Sequence, residues 1–560
     1  MSTQLTGLGV SPGVVVGPVC RMGVRPSLPP AGAPPADPEA EVGVAAGALE
    51  TVAKDLSARA ARAGGGAGEE AAAILDAQAL MASDPALADG VADRVRAGAS
   101  APHALHAAFG EYRELLAAAG GYLAERVADL DDVRDRAVAA ALGQPLPGVP
   151  APGYPYVLVA EDLAPADTVG LDPAAVLALV TELGSPTSHT AILARALGLP
   201  AVVGCRAAAG LADGTVVRVN GGSGVVEPGA DPAEISAGPV AAARPDYAGP
   251  GRTADRHPVQ LLLNVGSAAD FAPGAAGAAG DARAVGLAEA EGVGLFRTEL
   301  LFLDRKDMPS AQEQQRAYEE LFRAVGGRKV VLRTLDAGAD KPLPFLGLRP
   351  EPNPALGVRG LRVARVMPEV LEAQLAAVAA AAGATGAEVW VMAPMVSTAA
   401  EAASFAASVR AAGLPTAGVM VEVPAAALHA DRLLAAVDFL SIGTNDLGQY
   451  TMAADRMSGD LAELLDPWQP AVLQLIATCG AAGRQAGKPV GVCGEAAADP
   501  LLAPVLVGLG MTSLSMTPRS VPAAGAALAA HTLAECQALA ALALAAGSGR
   551  EARDAVRGAA

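Results

Sequence analysis

The chain has 560 residues, enough for two or three domains that each have a core of their own. Its net charge of −19 argues against nucleic acid or an anionic membrane as the main partner, and it permits a basic protein partner. The sequence contains neither a signal peptide nor an apolar run that could span a membrane, so we expect a cytoplasmic enzyme without membrane insertion. The cysteines form neither a zinc motif nor a disulfide framework; they are Cys20, Cys205, Cys479, Cys493 and Cys536.

The first part of the chain begins with short strands at 4–19, followed by a Pro-rich break at 26–38. Residues 37–142 then have apolar positions at helical spacing and few β-branched runs, which predicts a small bundle of about four helices. Ser83-Asp84-Pro85 and Ser100-Ala101-Pro102 have the capping residue and the proline that are typical of helix starts.

The last helices of this bundle are rich in acidic residues with arginines between them. Such a pattern is usually a solvated helix face, and the alternative is a docking face for a basic partner. The acidic residues are Glu111, Glu114, Glu125, Asp129, Asp131, Asp132 and Asp135.

A second Pro/Gly-rich hinge at 144–155 leads into alternating strands and helices. We expect the early strands to pair with these later ones, so that the helical bundle at 37–142 is inserted into one α/β domain of residues 1–228. The polar residues 229–258 are interpreted as a linker. The later strand-like runs are 156–160, 175–180, 201–203 and 215–219.

The stretch Thr187-Ser188-His189-Thr190 lies between a strand-like run and a helical run, after a Gly/Pro turn. The start of a helix offers free backbone N–H groups and the positive end of its dipole, which is a favourable place for a phosphoryl group. A neutral imidazole is also a competent nucleophile near pH 7. The ordinary alternative is that Ser188 only caps the helix and that His189 is a plain first-turn residue.

From residue 259 onward, apolar strands alternate regularly with helical stretches. Eight such strands over about 300 residues predict a (β/α)8 TIM barrel at 259–560, with a doubly wound sheet as the alternative. The predicted strands are 259–265, 294–296, 329–332, 389–393, 417–421, 439–442, 489–492 and 514–516.

Charged or reactive side chains follow five of these strands, and in a barrel they would gather at its C-terminal face. Two arginines suit a substrate that carries phosphate and carboxylate groups, and a Glu with an Asp suits Mg²⁺. A single arginine would more often form a surface or interdomain salt bridge, and Cys493 alone would more often be a small buried residue than a proton donor. The candidate side chains are Arg297, Arg333, Glu422, Asn445, Asp446 and Cys493, with Arg456, Arg359 and Lys341 as further positive charge.

Several stretches together carry a resemblance to a known family. They are the residues 184–192, Gly294-Leu295-Phe296-Arg297-Thr298-Glu299, residues 333–341, residues 353–359, Met420-Val421-Glu422-Val423-Pro424, residues 441–447, Asp455-Arg456 and Val492-Cys493-Gly494-Glu495. With them, essentially the whole chain resembles enzyme I of the bacterial sugar phosphotransferase system, the phosphoenolpyruvate–protein phosphotransferase family.

The resemblance implies that His189 carries a phosphoryl group on Nε2 and that Thr168 hydrogen-bonds its imidazole. It further implies that Glu422 and Asp446 hold Mg²⁺, and that Cys493 protonates the enolate of pyruvate. The helical bundle would dock the phosphocarrier protein HPr, and the barrel domain would form a homodimer. The implied binding residues for phosphoenolpyruvate are Arg297, Arg333, Asn445, Asp446, Arg456, Lys341 and Arg359.

The departures from the family's pattern are mild. Pro186 replaces the usual basic residue before the Thr-Ser-His-Thr motif, Ala337 and Ala339 stand where the family usually has Ile and Gly, and Gly448 replaces a usual Thr. These changes concern local loop geometry.

The resemblance also implies a reaction and its rivals. The phosphoryl group would pass from phosphoenolpyruvate to His189 and then to HPr, and the domain that carries His189 would swing between the two. A dikinase-type enzyme would also need a nucleotide-binding domain, for which we find no Gly-rich phosphate loop. A nitrogen-branch enzyme I would carry an extra N-terminal sensory domain. A regulatory phosphoprotein scaffold is the alternative without catalysis.

Overall fold

The computed structural model describes residues 4–23, 26–30, 32, 34–63, 69–119, 127–150, 152–163, 171, 175–184, 188–236, 247, 249–271, 288–302, 305, 307–338, 343–349, 351–456 and 459–559. The chain divides into two compact units. The first is Met1–Leu183 with Leu199–Val240, and the second is Gly184–Gly198 with Ala241–Ala560. The bounds that the sequence predicts for the domains, 1–228 and 259–560, stay a prediction.

The first unit contains an eight-stranded sheet with the order β1-β8-β7-β3-β4-β5-β6-β2. The early strand β3 runs parallel to β4 and antiparallel to β7, so the predicted pairing of early with late strands is confirmed. Apolar side chains of β3, β4 and β5 form the core of this sheet. The strands are β1 Leu5–Thr6, β2 Leu8–Ser11, β3 Val14–Arg21, β4 Tyr156–Ala160, β5 Val176–Thr181, β6 Ala201–Val203, β7 Val216–Asn220 and β8 Val225–Pro228.

Five described helices lie between β3 and β4, which confirms a helical insertion into the α/β fold. Their apolar stripes form a separate core that includes Val52, Leu105 and Val133. Asp84 caps the third helix by accepting a hydrogen bond from Ala86 N, with proline in the first turn as the sequence predicts. The helices are α1 Pro38–Ala63, α2 Glu69–Ala82, α3 Pro85–Arg96, α4 Ala101–Ala119 and α5 Val127–Ala141.

Three acidic side chains on the last helix of this bundle have arginine partners within the bundle. Arg134 contacts Asp131 at 2.5 Å and Asp135 at 2.7 Å, and Arg136 contacts Asp132 at 2.7 Å. These acidic charges are thus compensated within the bundle, as is usual on a solvated helix face.

The second unit contains a closed barrel of eight parallel strands. All eight predicted strands are present, and the doubly wound sheet is excluded because β16 pairs with β9 and closes the barrel. The strands are β9 Gln260–Val265, β10 Gly292–Arg297, β11 Lys329–Arg333, β12 Val389–Ala393, β13 Thr416–Val421, β14 Phe439–Ile442, β15 Val490–Val492 and β16 Ser513–Met516.

Helices cover the barrel and complete a large apolar core that is mainly aliphatic and includes a few aromatic side chains. The helix α6, His189–Leu197, precedes them in the chain. The helices that cover the barrel are α7 Ala311–Val325, α8 Pro368–Thr385, α9 Ala399–Ala411, α10 Pro424–Leu428, α11 Ala430–Leu434, α12 Thr444–Met452, α13 Pro470–Ala486, α14 Leu502–Gly508, α15 Val521–Ala529, α16 Leu533–Ala545 and α17 Gly549–Ala559.

Within the described ranges, no single helix has both the length and the apolar composition needed to cross a membrane. One pair of segments, Pro518–Ala529 and Leu533–Ala545, meets that criterion jointly but is bent by 104°. Both segments contribute buried side chains, such as Val521 and Leu539, to the core of the barrel unit.

Candidate active site

The carboxyl ends of the barrel strands bring the predicted side chains to one face. Arg297 and Arg333 are the last residues of the neighbouring strands β10 and β11, and they lie opposite each other in the register. Glu422 and Cys493 directly follow β13 and β15. In a barrel of parallel strands, this is the face where substrates bind.

Arg333 is the most enclosed of the arginines on β10 and β11, and carboxylates surround it. Its Nη2 lies 2.7 Å from Glu299 Oε1, while its Nη1 lies 3.5 Å from Asp336 Oδ2 and 3.8 Å from Glu422 Oε1. Burial opposes its charge, but these three carboxylates outweigh burial and raise the pKa of Arg333. Its Nε is buried without a hydrogen-bond partner among the described residues, which leaves a donor for a ligand.

Arg359 is fully buried beside the same cluster. Its Nη2 lies 3.4 Å from Asp336 Oδ2, and its Nη1 donates to Asp446 Oδ1 at 3.2 Å. The backbone at Gly338 approaches this arginine so closely that a Cβ there would lie 2.3 Å from Arg359 Cβ. The buried carboxylate of Asp336 thus contacts both Arg333 and Arg359, which are candidates for substrate binding.

The carboxylate of Glu422 is held by the backbone of Met395, which has an unusual conformation. Its Oε2 accepts a hydrogen bond of 2.8 Å from the N–H of Met395, a buried residue with φ of 59°. Such a conformation is disfavoured for residues other than glycine and often marks a functional site. Burial, together with the negative charges of Asp446 and Asp336, raises the pKa of Glu422 to about 8.

The first turn of α12 carries Asn445 and Asp446. Asp446 is nearly buried, and its Oδ2 lies 3.6 Å from Arg456 Nη1. Arg456 is anchored through its own N–H, which donates to Gln449 Oε1 at 3.0 Å. The arginine ten residues beyond Asp446 thus folds back over this carboxylate, as the sequence predicts.

Cys493 is buried among the strand ends, and its Sγ lies 3.4 Å from the carbonyl oxygen of Ile442. Burial raises the pKa of its thiol to about 11. The thiol therefore keeps its proton at neutral pH, which a proton donor requires.

Glu422 and Asp446 fit a magnesium ion. Both are buried carboxylates, and the charge of Asp446 contributes to the raised pKa of Glu422, a repulsion that a divalent cation would relieve. No group of three or more His, Cys, Asp or Glu side chains is placed to hold a metal ion in the part of the chain that the structure describes. Two carboxylates with water and phosphate oxygens are typical of Mg²⁺ in phosphoryl-transfer sites.

The helix α6 begins at His189, as predicted. Ser188 caps it, and its Oγ accepts a hydrogen bond of 3.3 Å from Ala191 N. The backbone therefore presents the helix N-terminus at the predicted nucleophile. The side chain of His189, Thr168 and Lys341 lie outside the described part of the structure.

Two carboxylates at the site had no role assigned from sequence, namely Glu299 and Asp336. Glu299 accepts from Arg333 and also from the backbone N–H of Asp336 at 3.2 Å. The sequence contains a signal for both carboxylates, since each stands within three residues of a candidate arginine at a strand end. Their role as partners of the arginines required the three-dimensional arrangement.

Comparison with protein-family models matches three parts of the chain. Residues 6–126 match the N-terminal domain of PEP-utilising enzymes, 153–224 the mobile domain, and 246–533 the PEP-binding domain. The last match spans all eight strands of the barrel and every candidate residue at their ends.

Curated relatives agree with these matches along the chain. A phosphoenolpyruvate-protein phosphotransferase of Streptomyces coelicolor is 53% identical over 100% of this chain and 99% of its own length. Proteins of the same name are 42% identical in Haloferax volcanii, over 84% of each chain, and 34% identical in Staphylococcus carnosus, over 93% of each chain. The chain therefore belongs to the phosphoenolpyruvate–protein phosphotransferase family, the enzyme I family of PEP-utilising enzymes.

Proposed function

We propose that this enzyme takes the phosphoryl group of phosphoenolpyruvate onto His189 and passes it to a histidine of HPr, releasing pyruvate. It would thereby act as the general phosphotransferase of the sugar phosphotransferase system. The observation that carries the proposal is the arginine pair at the ends of β10 and β11, in which Arg333 Nε is buried and has no hydrogen-bond partner among the described residues. Guanidinium groups in this arrangement suit the phosphate and carboxylate groups of phosphoenolpyruvate.

The binding step uses the charges at the barrel mouth. Arg297 has an exposed side chain at the end of its strand, while the side chain of Arg333 opposite it is largely buried. We assign both to the substrate's anionic groups, with Asn445, Arg456, Arg359 and Lys341 as further contacts. Asp446 would act there mainly by orienting Arg359 and Arg456, which it contacts at 3.2 and 3.6 Å. Fixed charges of this kind stabilise a transferring phosphoryl group without reorganisation during the reaction.

In the transfer step, a bond forms between Nε2 of His189 and the phosphorus atom as the bond to the enol oxygen breaks. That oxygen keeps the electron pair and the product is an enolate. The thiol of Cys493 then donates its proton to the methylene carbon, and the thiolate regains a proton from solvent. Thr168 would hydrogen-bond the imidazole. Mg²⁺ held by Glu422 and Asp446 would supply positive charge against the phosphoryl oxygens.

The second half of the reaction involves HPr, and we assign its docking site to the helical bundle at 37–142. The domain that carries His189 would move between the barrel and HPr through the hinges at 144–155 and 229–258. We further propose that the barrel forms a homodimer and that the enzyme works in the cytoplasm.

The decisive experiment incubates the protein with Mg²⁺ and phosphoenolpyruvate labelled on phosphorus, and measures acid-labile label on the protein together with pyruvate. We expect label on the wild type and none on His189→Ala. Added HPr should then remove the label from the enzyme and acquire it.

Two other outcomes would point to the rival functions. Label that comes only from ATP would indicate dikinase chemistry, while a protein that takes no label from either donor would indicate a regulatory scaffold. Retention of label by His189→Ala would place the phosphoryl group on another residue.

A further inference from the structure

A buried polar network lies behind the two arginine-bearing strand ends, outside the substrate site. Its centre is Gln374 on α8, with a side chain that is almost completely buried next to the apolar core of the barrel unit. Gln374 Oε1 accepts from Leu335 N at 2.9 Å, and its Nε2 donates to Thr298 Oγ1 at 3.1 Å and to Tyr318 OH at 3.2 Å. A buried amide with this many partners is strongly constrained in position.

The hydrogen bonds of the network have one consistent direction. The backbone N–H of Leu335 can only donate, so the oxygen of Gln374 must face it and the NH₂ group must face the two hydroxyls. Thr298 Oγ1 accepts from Gln374 and donates to the carbonyl oxygen of Arg333 at 2.9 Å. Tyr318 OH accepts from Gln374 and donates to Gln314 Oε1 at 3.2 Å.

One branch of this network reaches the substrate-binding arginines. Thr298 directly follows Arg297, and its hydroxyl bonds the backbone of Arg333 across the two strand ends. The Leu335 N–H lies one residue before Asp336, the carboxylate that contacts Arg333 and Arg359. Gln374 thus ties together the backbones from which Arg297, Arg333 and Asp336 project.

The other branch leads away from the site. Tyr318 and Gln314 lie on α7, both fully buried, and Gln314 Nε2 donates to the carbonyl oxygen of Pro309 at 3.0 Å. This branch fastens α7 to α8 but contacts neither arginine. It therefore provides a control with similar chemistry and burial.

We propose that Gln374 is a positioning residue that fixes the spacing of Arg297 and Arg333 for the anionic groups of the substrate. The inference rests on the proposed binding of phosphoenolpyruvate by these arginines. Small displacements of groups that position a substrate cost large factors in rate, so a shift of either arginine should lower the rate strongly. The side chain is too deeply buried to touch the substrate itself.

The test replaces Gln374 by methionine, which is similar in length and apolar, so that the cavity stays filled while all three hydrogen bonds are lost. We expect kcat/KM for phosphoenolpyruvate to fall by about 10- to 100-fold, mainly through a higher KM. The KM for HPr should stay within about twofold of the wild type, because HPr does not use these arginines.

Two further variants separate positioning from general loosening of the core. Thr298→Val removes the hydroxyl that bonds the backbone of Arg333, so it should also raise the KM for phosphoenolpyruvate. The double variant with Gln374→Met should have a KM close to that of the single variants, because both substitutions break the same chain of hydrogen bonds. Tyr318→Phe removes only the hydroxyl of the other branch. It should lower the melting temperature but leave kcat/KM for phosphoenolpyruvate within about twofold.

The inference is overturned if Gln374→Met and Thr298→Val lower only the melting temperature, or if Tyr318→Phe raises KM as much as they do. If Gln374→Met does not fold, the comparison of Thr298→Val with Tyr318→Phe decides the question alone. Arg333→Ala tests the proposed binding role of the arginines separately from the positioning role of Gln374. Full activity of that variant would refute the proposed binding role of the arginines, whereas its inactivity with unchanged Gln374 and Thr298 variants would refute only the positioning role.

Discussion

At the scale of the residue, the site consists of buried arginines that are paired with buried or partly buried carboxylates. Arg333 contacts Glu299, Asp336 and Glu422, and Arg359 contacts Asp336 and Asp446. Removing one partner of a buried ion pair usually costs more than the pair itself contributes, because an uncompensated charge remains. Each member therefore constrains the geometry of the others.

Replacing Arg333 by lysine tests the geometry of its guanidinium separately from its charge. A lysine has a single ammonium and cannot reach three carboxylates while it offers a further donor to substrate. We expect kcat/KM for phosphoenolpyruvate, measured as pyruvate formation, to fall by about 100-fold. Arg410→Lys is the matched control, since Arg410 pairs with Asp438 at the exposed surface at 3.1 Å. Equal activity of both variants would contradict the role of Arg333.

The pKa of Glu422 predicts how the proposed binding of magnesium depends on pH. In the metal-free protein this pKa is raised to about 8, so the carboxyl is protonated below that pH and must lose its proton when the cation binds. We expect Mg²⁺ affinity to weaken as pH falls, by about 100-fold between the plateau above pH 8 and pH 6.

Calorimetric titration with Mg²⁺ between pH 6 and pH 9, without substrate, measures this dependence. Glu422→Gln should lose the affinity and the pH dependence together, because the amide cannot ionise. An affinity that is constant over this pH range would show that Glu422 is not a ligand.

At the scale of the element, the strand ends are shaped by glycines that permit close approach. A Cβ on Gly494 would lie 1.9 Å from Thr444 Oγ1, and one on Gly443 would lie 2.8 Å from Glu422 Cγ. Neither approach is compatible with a side chain unless the neighbouring element moves. These glycines therefore bring together the residues that follow the neighbouring strands β13, β14 and β15.

Gly494→Ala should displace the turn that follows Cys493. We expect a loss of about 2 kcal/mol in the free energy of unfolding, measured by chemical denaturation, with a fall in pyruvate formation by the folded protein. Gly383→Ala on α8 is the control, since nothing lies within 4 Å of its added methyl group. That variant should gain up to about 1 kcal/mol from helix propensity, and a similar loss in both would contradict the steric argument.

The eight barrel strands were predictable because each is a short, apolar run between turn signals, and buried parallel strands need such runs. The structure extends the second strand to Gly292–Arg297, so that Arg297 ends the strand itself. The faces of α7 and α8 that place Tyr318 and Gln374 toward one another were not predictable. Helical spacing identifies a buried face, but it does not tell which neighbouring element that face contacts.

At the scale of the whole molecule, the proposed reaction has two partners for one histidine. The donor belongs to the barrel and the acceptor HPr to the helical insertion, so His189 must visit both. This movement is a proposal that rests on the hinge-like composition at 144–155 and 229–258 and on the family to which the chain belongs.

A reversible disulfide crosslink that joins the predicted domain 1–228, which carries His189, to the barrel domain should therefore permit only one half-reaction. We expect the crosslinked protein either to accept label from phosphoenolpyruvate or to exchange label with HPr, and reduction should restore both within the same sample. The same cysteine pair kept reduced throughout is the control. If both half-reactions proceed at wild-type rates while the crosslink is intact, the movement is not required.

The sequence by itself determined the class of fold, the order of the barrel strands and the identity of the residues at their ends. These follow from local patterns, namely apolar runs, turn residues and motifs that need no knowledge of distant contacts. Only the tertiary structure decided which charges share a partner. Asp336 joins Arg333 to Arg359, and Gln374 ties two strand ends from a helix, because residues far apart in sequence meet at the carboxyl ends of β10 and β11.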